Sequence, residues 1–318
     1  MITLSGKFNY TFDPSDGSSQ VKRGGKHSDV YLGKDENNQH VIIKKIQPGS
    51  ESLITTQIES NLQTKHPNII SCIETIEQNH HRYIVFPYVD SVNLKMLIKH
   101  RLNRKIRLIF TLQVLSRILD ALETVHKAGI IHRDIKPENI LIRKDKNGKI
   151  NWHDPNPVLI DFGLAQKTGS PVQEKRLPFS LVYSPPEQVL NFPALVNESS
   201  DLYALAITMY EFLAGKKAFY ANNPEILMNL MITQKLKKTG KIPGSVFSIL
   251  AKASHKSLIG KPPVYYKKPE LKTMIRSGQE KRYQKAGDFH TDVEKIRANI
   301  NEKPGFMSIF SDFKKKHV

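Results

Sequence analysis

The chain has 318 residues, of which 39% are hydrophobic and 25% are charged, a composition typical of one large or two modest globular domains. Its single cysteine, Cys72, excludes an internal disulfide framework and fits a reducing compartment. The sequence contains no run of about 18 apolar residues and so predicts no membrane-spanning helix. The first residues, MITLSGKFNYTFD, lack the apolar core of a signal peptide. We therefore expect a cytoplasmic location, and export by a route without a signal peptide stays open.

The formal net charge of +18 indicates a basic surface. Such a surface attracts nucleotides, acidic peptides, anionic lipid or nucleic acid, and charge alone does not choose among them. We take acidic proteins and anionic lipid as candidate partners of this surface. No motif in the sequence indicates nucleic-acid binding.

In chain order, the first elements favour strands around one helix. The runs SDVYLGKD (28–35) and QHVIIKKI (39–46) are joined by the polar turn DENN, which predicts a hairpin. Residues 50–65 are predicted to be helical. The apolar runs IISCIETI (69–76) and HHRYIVFPYV (80–89) again favour strands.

The remainder favours helices. Apolar residues in 107–127 recur every three or four positions, which predicts a helix with one buried face. Residues 200–214 predict a second apolar helix, which Gly215 ends. A β-rich lobe therefore precedes an α-rich lobe, with the boundary near 89–93. Active sites often lie in the crevice between two such lobes.

Two motifs carry the chemistry: HRDIKPENILI follows the long predicted helix, and VLIDFG places an acid between an apolar strand and a glycine. Phosphoryl transfer needs a group that accepts the hydroxyl proton, oxygen ligands for Mg²⁺, and a cation that steadies the phosphates. Asp134, Asn139 and Asp161 can supply the oxygens, and Lys44 can supply the cation. Each residue alone has an ordinary structural explanation, but the ordered set is hard to obtain by accident.

Over roughly residues 20 to 300, these motifs resemble the eukaryotic-type (Hanks-type) serine/threonine protein kinases, and EKRYQKAGDF is similar to bacterial members. The resemblance implies an α+β bilobal kinase-like fold, with a small β-rich N-lobe, a larger α-helical C-lobe and ATP in the cleft. The expected domains are an N-terminal extension (1–19), the N-lobe (20–89), the C-lobe (90–300, with a basic insertion at about 257–279) and a basic C-terminal tail (301–318).

The resemblance also implies roles for single residues. It makes Asp134 the base of the catalytic loop and Lys44 the lysine that steadies the phosphates. Lys136 is implied to contact the transferred phosphate, and a lysine at that position marks serine/threonine rather than tyrosine kinases. Asn139 and Asp161 are implied ligands of Mg²⁺, with Mn²⁺ as an alternative. The implied partners are ATP and a protein substrate that presents Ser or Thr.

Three further positions match the family's structural framework. Glu187 in YSPPEQ is implied to pair with Arg282, and Asp201 is implied to brace the catalytic loop. Because this framework shapes a peptide-binding lobe in the family, it favours a protein substrate over a small molecule or lipid.

The ATP pocket is also implied by the resemblance. Phe86 corresponds to the gatekeeper, while Pro87 and Val89 offer backbone groups to the adenine edge. The implied ATP-contacting residues are Arg23, Gly25, Ser28, Val30, Ile42, Lys44, Phe86, Pro87, Val89 and Leu141. Ile42 is larger than the usual alanine and is expected to tighten the roof of the pocket.

The glycine-rich loop departs from the family pattern. In RGGKHSDVY, Arg23, Gly25 and Ser28 occupy the three glycine positions, so one of three matches. A phosphate-covering loop works through backbone N–H groups, and glycine is needed only where the backbone comes close or adopts positive φ. We expect a working but stiffer lid.

The acid that pairs with the strand lysine is ambiguous. The family spacing falls on Gln57, while Glu59 lies two positions later and Glu51 lies earlier. Two positions on a helix differ by about 200°, so Gln57 and Glu59 cannot both face Lys44. We take Glu59 as the pairing acid, with Gln57 and Glu51 as alternatives.

Two segments are longer than the pattern requires. Residues 143–157 predict an extended hairpin in which Trp152 packs near the surface, with docking as an alternative role. Residues 257–279, rich in Lys, Tyr and Pro, predict a solvated loop, with a basic patch facing substrate or membrane as the alternative.

The activation segment follows DFG. Arg133 precedes the catalytic Asp, and in the family such an arginine binds a phosphorylated residue. Thr168 and Ser170 are the candidate phosphosites, while Glu174 is a possible mimic of the phosphate. The best hypothesis is an active kinase that also phosphorylates itself. The alternative is a pseudokinase that serves as a nucleotide-binding or scaffold module.

Overall fold

The computed structural model describes residues 1–16, 20–22, 28–46, 66–169, 181–260 and 265–301. Within these ranges, a seven-stranded antiparallel sheet forms the N-lobe, in the order β1-β2-β4-β5-β7-β6 with β3 paired to β4. The strands are β1 (Ile2–Ser5), β2 (Asn9–Phe12), β3 (Gln20–Lys22), β4 (Ser28–Asp35), β5 (His40–Ile46), β6 (Glu74–Gln78) and β7 (His81–Pro87).

The sheet gives its two faces different roles. Val30 lies opposite Lys44, and Ile42 lies opposite Phe86, so these four residues share one face. The intervening residues of β4, β5 and β7 face the other way, into a buried cluster with the first two strands. The alternation of the sequence therefore selects which side chains line the interlobe cleft.

Within the N-terminal extension predicted over 1–19, residues 1–16 contribute two strands to the sheet. Tyr10 and Leu4 are buried, and the Tyr10 hydroxyl donates a 2.6 Å hydrogen bond to Glu74. The alternating pattern of ITLS and NYTF buries one side of each strand, which is the physical reason that the segment joins the lobe.

The predicted hairpin of β4 and β5 is present. Asp35 closes its turn by accepting from the amides of Asn37 and Gln39, at 2.9 and 2.8 Å. The strand predicted over 69–76 begins only at Glu74, because Ile69 bridges Leu159 of the C-lobe instead.

The C-lobe contains a small sheet and the helices. The strands are β8 (Ser91–Asn93), β9 (Ile130–Ile131), β10 (Ile140–Arg143), β11 (Asn156–Leu159) and β12 (Gln166–Lys167), with β10 between β11 and β8 and with β9 paired to β12. The helices are α1 (Leu94–Leu97), α2 (Arg104–Lys127), α3 (Pro186–Val189), α4 (Glu198–Ala214), α5 (Pro224–Thr233), α6 (Gly244–Ala253), α7 (Lys268–Glu280) and α8 (Ala286–Asn301).

The C-lobe core surrounds α4, which is buried along almost its whole length. The helix ends at Gly215, whose φ of +70° is the left-handed conformation that glycine tolerates. Phe110 of α2 stacks on Phe212 of α4 with ring centroids 5.0 Å apart. Trp152 packs on Phe110 at 5.3 Å, so the tryptophan of the long β10–β11 connection has a packing role.

The solvated loop predicted for 257–279 is only partly right, because residues 268–280 form α7. Leu271 and Ile275 are one turn apart, and Ile275 is buried against Phe192 and Leu195. This i, i+4 apolar pair is short and lies among charges, which hid the helical period from the sequence. In the described part of the chain, no helix is long and apolar enough to cross a membrane.

Candidate active site

A buried aspartate of α4 holds the catalytic loop. Asp201 accepts hydrogen bonds from the amides of His132 and Arg133, at 2.9 and 2.8 Å, and from Nε2 of His126 at 2.9 Å. Burial alone would raise the pKa of Asp201, but these bonds and the nearby imidazoles outweigh it and hold the pKa below its usual value. The aspartate therefore stays ionised and fixes the start of the loop.

His132 connects this loop to the segment that carries Asp161. Its Nδ1 accepts from the amide of Asp134 at 3.3 Å, so its Nε2 carries the proton and donates to the Ile160 carbonyl at 3.1 Å. Its ring lies 4.5 Å from that of Phe162, centroid to centroid. The two halves of the site are thus joined by polar and aromatic contacts.

Arg133 is held in an uncommon backbone conformation. Its φ is +69°, which costs a non-glycine residue free energy, and the bond from its amide to Asp201 offsets that cost. Its Nη1 donates to Gln166 at 3.1 Å, and its buried Nε has no hydrogen-bond partner among the described residues. Burial lowers the pKa of Arg133, although Asp201 opposes that shift.

Asp134 lies at the centre of the catalytic loop and is 7% exposed. Its Oδ2 accepts from Lys136 at 2.5 Å and from the Asn139 amide at 3.1 Å. Its buried Oδ1 has no hydrogen-bond partner in the described part of the chain. A buried carboxylate oxygen without a donor is costly, so this atom is poised to accept a hydrogen bond from a hydroxyl group.

Lys44 reaches across the cleft from β5. Its Nζ lies 3.0 Å from Oδ1 of Asp161, and only 10% of the lysine side chain is exposed. Asp161 has a φ of +65°, an uncommon backbone conformation for a residue other than glycine. The structure therefore places the predicted lysine and the predicted metal ligand in direct contact.

An apolar pocket lies beside this ion pair. Phe86 and Val89 are buried in one cluster, and Ile42 and Leu141 are partly buried against it. Val30 is half-buried on the same face of the sheet as Ile42. The residues predicted to hold the adenine ring are thus brought together from β4, β5, β7 and β10.

The segment after β7 can offer backbone groups to a ring edge. Proline has no N–H, so Pro87 can offer only its carbonyl. The carbonyl of Val89 already accepts from the Ser91 hydroxyl at 2.8 Å. The amide of Val89 and the carbonyl of Pro87 are therefore the groups available to an adenine edge.

The donor set fits a hard divalent cation held together with phosphates. The side-chain nitrogen of Asn139 donates to the backbone carbonyl of Asp134 at 2.9 Å and to the Oδ2 of Asp134. The side-chain oxygen of Asn139 is therefore the atom left to bind a metal. Asp161 supplies a carboxylate. In the ranges that the structure describes, no group of three or more His, Cys, Asp and Glu side chains could hold a metal by itself. Mg²⁺ commonly takes only one or two carboxylates and completes its shell with phosphates and water.

Glu187 and Arg282 form a fully buried ion pair. Arg282 donates to both carboxylate oxygens of Glu187, at 2.7 and 3.1 Å, and the Ser200 hydroxyl donates to Oε1 at 2.8 Å. A third guanidinium donor, Nε, bonds the His255 carbonyl at 2.7 Å. Both carboxylate oxygens and all three guanidinium nitrogens are thus hydrogen-bonded, which favours toleration of a buried ion pair.

Several predicted site residues lie outside the described residues. These are Arg23, Gly25, Glu59 with its alternatives Gln57 and Glu51, Ser170 and Glu174. The backbone of Ser28 begins β4. Thr168 is exposed, and its amide donates to the Gly129 carbonyl at 2.7 Å.

One polar cluster beside the catalytic loop was not predicted from the sequence. Lys95 donates to Glu211 at 3.1 Å and lies 3.8 Å from Glu138, while the Tyr183 hydroxyl donates to Glu211 at 2.7 Å. Burial and the bond to Glu211 raise the pKa of Tyr183. Glu138 lies within HRDIKPEN, but Lys95 and Glu211 are more than a hundred positions apart and carry no local signal.

A cleft with an apolar pocket, a lysine–aspartate pair and a braced loop bearing a free carboxylate oxygen defines the phosphoryl-transfer class of sites. The model of the protein kinase domain matches residues 23–284. The chain therefore belongs to the protein kinase family.

Named relatives agree with this assignment. The chain is 27% identical over 253 residues to a probable serine/threonine-protein kinase PknB of Lactococcus lactis, covering 75% of this chain and 38% of that protein. It is 29% identical over 251 residues to serine/threonine-protein kinase PrkC of Bacillus subtilis (74% and 37%). It is 27% identical over 236 residues to mouse Aurora kinase B (72% and 64%). The chain thus spans from about a third to two thirds of the length of these relatives.

Proposed function

We propose that the chain is an active serine/threonine protein kinase that transfers the γ-phosphoryl group of Mg-ATP to protein hydroxyls. The observation that carries the proposal is the unpartnered, buried Oδ1 of Asp134, held in place by bonds from Lys136 and Asn139 to the other oxygen. A structural aspartate in that position would have a donor on both oxygens.

In the proposed mechanism, Asp134 orients the substrate hydroxyl and accepts its proton at Oδ1. The hydroxyl oxygen forms a bond to the γ-phosphorus as the bond from that phosphorus to the β–γ bridging oxygen breaks, and ADP leaves. Lys136 and Lys44 offset the negative charge that develops on the transferred group and on the leaving group. When bound, Mg²⁺ held by Asn139 and Asp161, with Mn²⁺ as an alternative, supplies further neutralisation of the phosphates.

Selectivity for Ser and Thr is proposed from Lys136, which the Tyr-specific members of the family lack at this position. Regulation by phosphorylation is proposed from Arg133, whose buried guanidinium has one neutral partner, Gln166, and an unpartnered Nε among the described residues. A phosphate on Thr168 or Ser170 would supply the charged acceptor that this arginine lacks. Acidic proteins and anionic lipid remain the candidate partners of the basic surface, in a cytoplasmic setting.

The proposal is tested by intact-mass measurement after incubation with Mg-ATP and a generic protein substrate. We expect added phosphate on the chain or the substrate, on Ser or Thr by peptide mapping, and none with Asp134→Asn or Asp161→Ala. Asp134→Asn keeps the shape of the side chain but lacks the basic oxygen, so it separates chemistry from folding. Nucleotide binding without any phosphate transfer would instead favour the pseudokinase, which no comparison supports.

A further inference from the structure

A groove runs along α7 on the surface of the C-lobe. Its wider part has a volume of about 510 Å³ and lies between residues 191–195 and the first turns of the helix. A second part of about 290 Å³ continues toward Arg276 and Gln279. Ala194 and Leu195 line both parts, and the two parts together are here named the α7 groove. Its size is within the range of pockets that bind ligands.

The walls of the α7 groove are fixed to each other. Ile275 of the helix is buried against Leu195 of the opposite wall, and the Gln279 side chain donates to the Leu195 carbonyl at 2.8 Å. On its far side the helix sits against the preceding chain, because a Cβ on Gly278 would lie only 2.5 Å from the amide nitrogen of Ser257. The groove is therefore preformed, and a ligand would not have to order it.

Three cations line up along one wall. Lys268, Lys272 and Arg276 are spaced four residues apart on α7, so they share one face of the helix, and all three are exposed. Within the described residues, none of them takes part in an ion pair or side-chain hydrogen bond. Of the acids on α7, Glu270 accepts from the amide at the start of the helix, and Glu280 lies one turn after Arg276 at the far end of the groove, away from Lys268 and Lys272.

We propose that the α7 groove is a docking site for an extended acidic segment of a partner protein. Apolar side chains of that segment would fill the floor formed by residues 192–195, and its carboxylates would meet the three cations. Like charges one helical turn apart repel each other, and an acidic ligand relieves that repulsion. A membrane is flat and would reach the cations but not the floor, so the concave shape favours a peptide over a lipid surface.

The proposal is tested by fluorescence anisotropy with a fluorescein-labelled peptide in which Leu alternates with Glu. The variant Lys268→Glu/Lys272→Glu should bind this probe at least about tenfold more weakly than the unmodified chain. It should also fold, because acidic residues in the first turns of a helix interact favourably with the helix dipole. The measurement needs no catalysis, so its outcome is independent of the proposed kinase activity.

The matched control is Lys146→Glu/Lys149→Glu, which makes the same change in net charge on exposed residues of the β10–β11 connection. It should leave binding of the probe unchanged. The variant Ala194→Tyr, which fills the groove without altering charge, should weaken binding as much as the α7 variant does.

Four results would overturn the proposal. The first is equal binding by the α7 variant and the charge-matched control, and the second is no binding by the unmodified chain. The third is equal binding of a peptide in which Ser replaces Leu, because the apolar floor would then contribute nothing. The fourth is that the Lys268→Glu/Lys272→Glu change weakens binding to vesicles of phosphatidylserine and phosphatidylcholine more than binding to the peptide, which would assign the surface to lipid.

Discussion

Lys256 is a buried amine whose replacement should change the pH dependence of stability. It is 5% exposed, donates to the Met231 carbonyl, and lies 4.1 Å from the centre of the Phe219 ring. No carboxylate pairs with it among the described residues. Burial, with a smaller contribution from the positive charge of Arg282, lowers the pKa of Lys256 from its ordinary 10.5 to about 7.

The sign of the effect follows from which state binds more protons. Between about pH 7 and 10.5 the unfolded chain holds the proton on Lys256 and the folded chain does not, so stability rises with pH across that window. Below about pH 7 both states are protonated, and the folded state bears the whole cost of the buried charge, up to about 5 kcal/mol. Above about pH 10.5 that cost has vanished.

We therefore expect Lys256→Met to stabilise the fold near pH 6 by about 2–4 kcal/mol, since the lost hydrogen bond and ring contact offset part of the gain. The gain should shrink toward zero, or reverse, near pH 10. Urea unfolding at several pH values measures the gain in stability near pH 6 and its loss near pH 10. Lys237→Met, which replaces an exposed lysine, is the matched control. It should change neither the stability near pH 6 nor the dependence of stability on pH. If Lys256→Met leaves the slope of stability against pH unaltered, burial of the protonated Lys256 does not destabilise the folded state.

Three further predictions concern the site. Asp134→Asn should lower kcat by about 10²–10⁴ with little change in nucleotide affinity, measured by steady-state kinetics and a fluorescent ATP analogue; a loss in affinity alone would contradict the role of base. Arg282→Met should destabilise the chain by about 3–5 kcal/mol in urea, because Glu187 is left as a buried, unpaired charge, and adding Glu187→Gln should recover part of that loss; strict additivity of the two would contradict the pairing. Asp201→Asn should lower kcat while the KM for ATP changes little, because it disturbs the loop but not Lys44; an unchanged kcat would show that the loop needs no brace.

Much of the lobe organisation could be predicted from local sequence. The strand alternation in SDVYLGKD and HVIIKKI places Val30, Ile42 and Lys44 on one face, and this periodicity is independent of the rest of the chain. The end of α4 at Gly215 could be predicted for a similar reason, because the left-handed conformation that ends a helix is set by the residue at that position, and glycine adopts it readily. The role of residues 1–16 was not local, because β2 pairs with β4, where Tyr10 lies opposite Asp35, and the Tyr10 hydroxyl bonds Glu74, 64 positions away.

The sequence by itself determined the family and the identity of the polar residues that phosphoryl transfer needs, because that chemistry demands particular side chains in a fixed order. Only the tertiary structure decided that one oxygen of Asp134 is left without a donor, that Lys44 meets Asp161, and that α7 forms a basic groove instead of a loop. These features depend on contacts between residues far apart in the chain. Local propensity cannot encode such contacts, since their free energies arise only once the segments have packed.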